Sequence, residues 1–186
     1  MEEIREPQTK TRTIVVFAML FAVLGAVVVF AYFATFSRPV TTVILVRHAE
    51  KNPEPKDDPD LSPDGFARAQ QIARIFSNAG INGIYATQYK RTQQTVEPLS
   101  TRIGVPITLL DAKQPDELVK RIQTSLRGQT IFVSGHNDTV PQIASALSGE
   151  NYPPIPPTDY DDLFIVTVYR FGKAKVLRLK YGKGTL

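Results

Sequence analysis

The sequence predicts an α/β fold: a three-layer α/β/α sandwich with a mainly parallel sheet, preceded by one transmembrane helix. Three observations carry this reading. Short β-branched apolar runs alternate with segments whose apolar residues recur every three or four positions, the pattern of buried strands and their covering helices. Residues 14–36, IVVFAMLFAVLGAVVVFAYFATF, carry no charged side chain. Finally, arginines and the chain's two histidines fall where the apolar runs stop, as in TTVILVRHAE and IFVSGHNDTVP.

The elements follow in order. Residues 1–13 form a short polar tail. Residues 14–36 would span about 34 Å as a helix, enough to cross a bilayer core. A cleaved signal peptide is the alternative, but its apolar stretch usually runs about 7–15 residues, and no clear small-x-small cleavage site follows Phe30. Arg5, Lys10 and Arg12 precede the span while Arg38 alone follows closely. Counting basic residues therefore puts the N-terminus in the cytoplasm and the main domain outside it.

Residues 37–186 are expected to form one domain. A strand at 42–46 precedes a charged loop, and Ser62-Pro63 then supplies an N-cap and a first-turn proline. Phe66, Ala69, Ile72, Ala73 and Phe76 recur at helical spacing up to Asn78-Ala79-Gly80. A strand at 84–87 leads to a helix from Lys90 that Pro98 is expected to limit or kink. A strand at 107–110 precedes a helix opened by Pro115, with Leu118, Val119, Ile122 and Leu126 on one face. A fourth strand spans 130–134, and Val140, Ile143, Ala144 and Leu147 mark a helix closed by Gly149. NYPPIPPTDYDD reads as a loop, because proline cannot continue a helix. Strands at 163–169 and 175–179 flank Phe171-Gly172-Lys173 as a hairpin.

Composition removes several classes of function. The chain has 186 residues, 42% of them apolar, sufficient for one substantial core. Its net charge of +4 is dispersed and accompanied by no zinc spacing or aromatic-basic interleaving, so nucleic acid is not an expected partner. There is no cysteine, which excludes disulfides, thiolate metal sites and cysteine nucleophiles. From residue 163 onward six Lys/Arg occur without Asp or Glu, either a solvated hairpin face or a contact for anionic lipid headgroups.

Ligands of open α/β sheets bind beyond the carboxyl ends of the parallel strands. Arg47-His48, Arg91 and His136 therefore converge on one rim. Guanidinium groups bind phosphate oxygens bidentately, and a helix N-terminus following His136 favours anions. The expected site is a phosphate pocket with an imidazole inside it. Thr87, Gln88 and Asn52 lie on its rim.

The motifs RHAEK, LSPDGFARA, YATQYKRTQQT and GHNDTVP together resemble the histidine phosphatase superfamily, in its phosphoglycerate mutase-like, small bacterial-type branch, over about residues 43–179. The resemblance implies that His48 is the nucleophile and passes through a phosphohistidine. Arg47 and Arg91 would bind phosphoryl oxygens, and His136 would complete the pocket. It also implies that no metal or other cofactor is required. The general acid that protonates a leaving alkoxide is where the match thins; Asp138, Glu50 and Asp111 are the candidates, in that order, with Asp116 and Glu117 behind them. Asp138 also reads as a helix cap. A leaving group that is itself acidic, such as a phosphohistidine imidazole or an anhydride phosphate, needs no such acid.

The resulting expectation is a membrane-anchored phosphatase acting on a phosphorylated small molecule or phosphoprotein. A phosphomutase of the same family is a rival, disfavoured because little chain is left for a covering lid. A phosphohistidine protein phosphatase is another, and a non-catalytic phospho-ligand sensor or tether a third.

Overall fold

The computed structural model describes residues 7–36, 40–170 and 173–184. The chain divides into two units, Met1–Arg38 and Pro39–Leu186. In the first, helix α1 covers Pro7–Phe36. Its stretch Thr11–Ala34 is 24 residues long and apolar enough to cross a membrane, and its side chains are exposed on every side. Residues 1–6 of the expected tail, Arg38 of the charge comparison, and Phe171-Gly172 of the expected hairpin turn lie outside the described residues.

The second unit is ordered β1 (Thr41–Arg47), α2 (Pro63–Phe76), β2 (Gly83–Thr87), α3 (Lys90–Ile103), β3 (Ile107–Leu110), α4 (Pro115–Gln123), β4 (Thr130–Gly135), α5 (Thr139–Ser148), β5 (Asp162–Val168) and β6 (Lys175–Lys180). The six strands form one sheet in the order β3-β2-β4-β1-β5-β6. Neighbours from β3 to β1 are parallel, whereas β5 runs antiparallel to β1 and β6 antiparallel to β5.

Two cores back this sheet, one on each face. Successive strand residues point to opposite faces, so Val43 and Leu45 join the α4/α5 side while Ile44 and Val46 join the α2/α3 side. Ile131 and Val133 divide from Phe132 in the same way. The middle stretches of these two strands, 43–46 and 131–133, are apolar at every position because both faces are covered.

Local chemistry sets the element ends. Ser62 caps α2 by accepting a hydrogen bond from Gly65 N at 3.2 Å, with Pro63 in the first turn. Gly65 is there for space: a Cβ on it would overlap the carbonyl oxygen of Glu50, which is held by Ser62 N. Two expectations are corrected. Pro98 does not end α3, which runs on to Ile103. Leu126 packs against the core but lies beyond α4, which ends at Gln123.

The C-terminal strands stabilise the loop before them. Asp162 is fully buried and receives Arg178 Nε and Nη2, both at 2.9 Å. Lys180 Nζ lies 2.6 Å from Asp161, 3.3 Å from Asp162 and 3.8 Å from Asp159. Arg178 and Lys180, among the late basic residues, are thus committed to carboxylates within the domain.

Candidate active site

Strand register builds the rim. β1 pairs Arg47 with Gly135 of β4, and the ladder continues one step as His48 N donates to Gly135 O at 2.9 Å. The residues that follow on the two strands, His48 and His136, are therefore neighbours, with ring centroids 5.6 Å apart. On the other side of β4, β2 pairs Ala86 with Ser134. Thr87 thus arrives beside His136, its hydroxyl 3.0 Å from Nε2. Gly135 makes the sharp exit feasible, because a Cβ there would press on Thr139 Oγ1 and Val140 at the start of α5.

His48 is buried, and its Nδ1 lies 2.8 Å from the carbonyl oxygen of Ala49. A carbonyl only accepts, so Nδ1 carries the proton and Nε2 keeps its lone pair. Burial, opposed in part by that hydrogen bond and reinforced by Arg47, His136 and Arg91, pushes the His48 pKa down to about 3. The Ala49 carbonyl belongs to a braced turn, since Ala49 N donates to Thr95 Oγ1 at 2.9 Å and Thr95 donates to Arg91 O at 2.6 Å.

Burial is also the largest cause that lowers His136, to about 4, with Arg91 and Arg47 adding to it and Asp138 opposing. A hydroxyl chain orients the ring. Thr92 Oγ1 lies 2.8 Å from Tyr89 O and 3.1 Å from Thr87 O, and its one hydrogen serves a carbonyl. Thr87 then donates to Thr92 Oγ1 at 2.8 Å and accepts from His136 Nε2–H. Tyr89 closes one side of that ring at 5.4 Å.

Arg47 has a second task besides the pocket. Its Nη1 donates to the carbonyls of Pro156, Pro157 and Asp159 at 3.0, 2.8 and 2.9 Å, and its guanidinium lies over the Tyr160 ring at 4.1 Å. Prolines lack an N–H, and the bend of the PPTDY segment turns three carbonyls toward one donor. Tyr160 in turn lies 5.9 Å from the His48 ring. Ile155 anchors this loop in the core and donates its N–H to Asn137 O.

Arg91, at the start of α3, lies over the Tyr89 ring at 4.3 Å, with Nη1 3.9 Å from Asp58. The Nε atoms of both Arg47 and Arg91 are buried without a protein partner. An unpaired buried donor is costly. Two of them on cations at one rim suit a bound oxyanion.

The carboxylates expected as acids are engaged elsewhere. Glu50 forms a bidentate pair with buried Arg68, with Nε–Oε2 at 2.9 Å and Nη2–Oε1 at 2.7 Å. Asp138 is exposed and caps α5, accepting from Thr139 N at 2.8 Å. Asp111 holds its own turn through Lys113 N and Gln114 Nε2. Asp116 and Glu117 sit exposed in the first turn of α4, and Glu117 pairs with Arg121. Asn52 donates to Leu61 O and Gln88 accepts from Ala112 N, so both bind protein.

Several residues at the site were not singled out from the sequence: Thr92, Thr95, Tyr89, Tyr160 and Asp58. A detectable signal existed for two of them. Thr92 and Thr95 are β-branched hydroxyls three apart on the inner face of a helix, and both are fully buried.

An open parallel sheet extended by an antiparallel pair, with two histidines and two arginines on its rim, defines a phosphoglycerate mutase-like domain. Residues 43–114 match the family model of the histidine phosphatase superfamily (branch 1). The chain is similar to this superfamily over that match, which spans 72 of its 186 residues. No curated protein sequence matches it significantly. Among solved structures, it is similar to the protein histidine phosphatase SixA complexed with tungstate, at 17% identity and a TM-score of 0.61, over 75% of this chain and 96% of that one. A mycobacterial glucosyl-3-phosphoglycerate phosphatase shares 12% identity with a TM-score of 0.59, over 74% of this chain and 97% of that one. At these identities the likeness establishes the fold.

Proposed function

We propose that the chain is a membrane-anchored phosphatase that hydrolyses phosphomonoesters or related phosphoryl groups through a phosphohistidine on His48. The observation that carries this is the pairing of a neutral, Nδ1-protonated His48 with two guanidinium groups whose buried Nε donors have no protein partner. Arg47 and Arg91 bind the equatorial oxygens, offsetting charge that builds on them. The Nε2 lone pair of His48 attacks phosphorus and the bond to the leaving group breaks. Water then attacks the phosphohistidine, releasing phosphate, returning neutral His48 and delivering a proton to solvent. A bound dianion also offsets the cations that depress His136 and so favours its protonated, hydrogen-bond-donating form.

The engagement of Glu50, Asp138 and Asp111 favours one substrate class within this reading. A leaving group that departs without a proton from the enzyme, such as the imidazole of a phosphohistidine or an acidic phosphate, suits a pocket whose nearby carboxylates are committed. A protein phosphohistidine is the case SixA is named for; here that substrate would require a cytoplasmic domain, so protease accessibility in intact vesicles discriminates it from the outward-facing reading.

The apolar helix α1 is read as the anchor, with its N-terminus cytoplasmic and the domain outside. Turnover of p-nitrophenyl phosphate by wild type and His48→Ala tests the chemistry. Turnover is expected to disappear in the variant; equal release by both proteins contradicts the proposal.

A further inference from the structure

We propose that the end of the α/β unit at which β1 begins is a basic face that docks on the headgroups of an anionic lipid bilayer. The inference rests on the reading of α1 as a membrane anchor and adds which surface of the domain meets the lipid.

The parallel strands share one direction, so the domain has two chemically distinct ends. His48 and His136 lie where β1 and β4 finish. Thr41 lies where β1 starts, seven residues and roughly 20 Å away along the strand. Gly128 N donates to Thr41 Oγ1 at 2.8 Å, which puts Arg127 at that starting end. Val168 pairs with Thr41, so Tyr169 and Arg170 leave the sheet there, and Lys175 pairs with Thr167 just after Lys173. All four basic side chains are exposed, as is Tyr169.

Carboxylates gather at the opposite end. Asp58, Asp60, Asp111, Asp138, Asp161 and Asp162 all follow the C-terminal ends of parallel strands or open β5. Among the described residues, Glu150, after the last turn of α5, is the carboxylate at the basic end. Helices α2, α3 and α4 also finish at that end, with Arg74, Arg102, Lys120 and Arg121 in their last turns. Helix dipoles account for those four cations. They do not account for Lys173 and Lys175, which precede and open β6.

The sequence gives this end its occupant. Four residues separate Phe36, the last of α1, from Thr41, a link of at most about 18 Å. Basic residues that close to a bilayer are attracted by anionic headgroups, and tyrosine favours the interface. Docked this way, the catalytic rim points away from the lipid and takes phosphorylated substrates from the aqueous phase.

The test uses the full chain in nanodiscs of neutral phosphatidylcholine or of phosphatidylcholine with phosphatidylglycerol. The chain has no cysteine, so Ser125→Cys at the basic end and Lys113→Cys near the rim each carry a single fluorophore. A quencher on the lipid headgroups reads their proximity. The Ser125→Cys label is expected to be quenched more in anionic discs, and to return to the neutral-disc value in roughly 0.5 M salt, where screening is nearly complete within about 4 Å. Each charge removed by Arg127→Gln, Arg170→Gln, Lys173→Gln or Lys175→Gln should lower the docked-to-undocked ratio about fivefold. The Lys113→Cys label should respond to neither lipid nor salt, and p-nitrophenyl phosphate turnover should match the parent. Equal quenching in both lipids, an unchanged response in the fourfold variant, or quenching at Lys113→Cys overturns the docking face. Failure of the chain to enter discs at all overturns the anchor reading instead.

Discussion

Replacing His48 with glutamine should flatten the acid sensitivity of folding. The native pKa of His48 is pushed down to about 3 from an ordinary 6.5. Between those values the unfolded chain binds a proton at this position and the folded chain does not. Stability from the neutral, buried ring is therefore complete above pH 6.5 and drains away as pH falls toward 3. At pH 5 the loss relative to pH 7.5 is about 2 kcal/mol for one such histidine. His136, lowered to about 4, contributes a similar loss in both proteins. Urea unfolding of the detergent-solubilised chain, followed by tyrosine fluorescence at pH 7.5 and 5, measures the difference. Wild type should lose about 2 kcal/mol more than His48→Gln over this interval. Parallel losses would refute the reasoning, because His48 would then titrate alike in both states.

Two further substitutions probe packing and proton supply. Gly65→Ala forces a methyl group onto the Glu50 carbonyl and should destabilise the domain by about 1–3 kcal/mol or more, read as a lower urea midpoint; an unchanged midpoint would mean α2 shifts freely. Asp138→Asn keeps a side chain that caps helices well, so turnover of p-nitrophenyl phosphate should stay within about twofold if Asp138 serves α5 alone. A loss of about a hundredfold, the usual size of an acid–base contribution, would assign Asp138 the leaving-group proton.

Much of this architecture is legible in the chain because its strongest signals are local. Buried parallel strands read as unbroken apolar runs, and Ser62-Pro63 marks a helix start by chemistry confined to one turn. The rim residues are legible for a related reason: a strand that stops at Arg47-His48 or Gly135-His136 must deliver those side chains to one end of the sheet. Strand order is a different matter. That β4 inserts between β2 and β1, bringing Thr87 and His48 to opposite sides of His136, depends on pairings across distant segments. The commitments of the carboxylates were hidden for the same reason. Glu50 meets Arg68 eighteen positions away, and Asp162 meets Arg178 across a turn. Pro98 misled because its helix-breaking cost is a local tendency, whereas α3 is held by Val96 and Leu99 in the core. The triple carbonyl grip on Arg47 arises from a proline-rich loop more than a hundred residues later, and no periodicity announces it.

Direct trapping of the covalent intermediate bears most closely on the chemistry assigned to His48. The full chain is mixed with a phosphorylated substrate, quenched in alkali to preserve phosphohistidine, and its peptides are mapped by mass spectrometry. A phosphoryl adduct on His48 is expected, absent from His48→Ala. No adduct during sustained turnover, or an adduct on His136 or on any other side chain, would contradict the account.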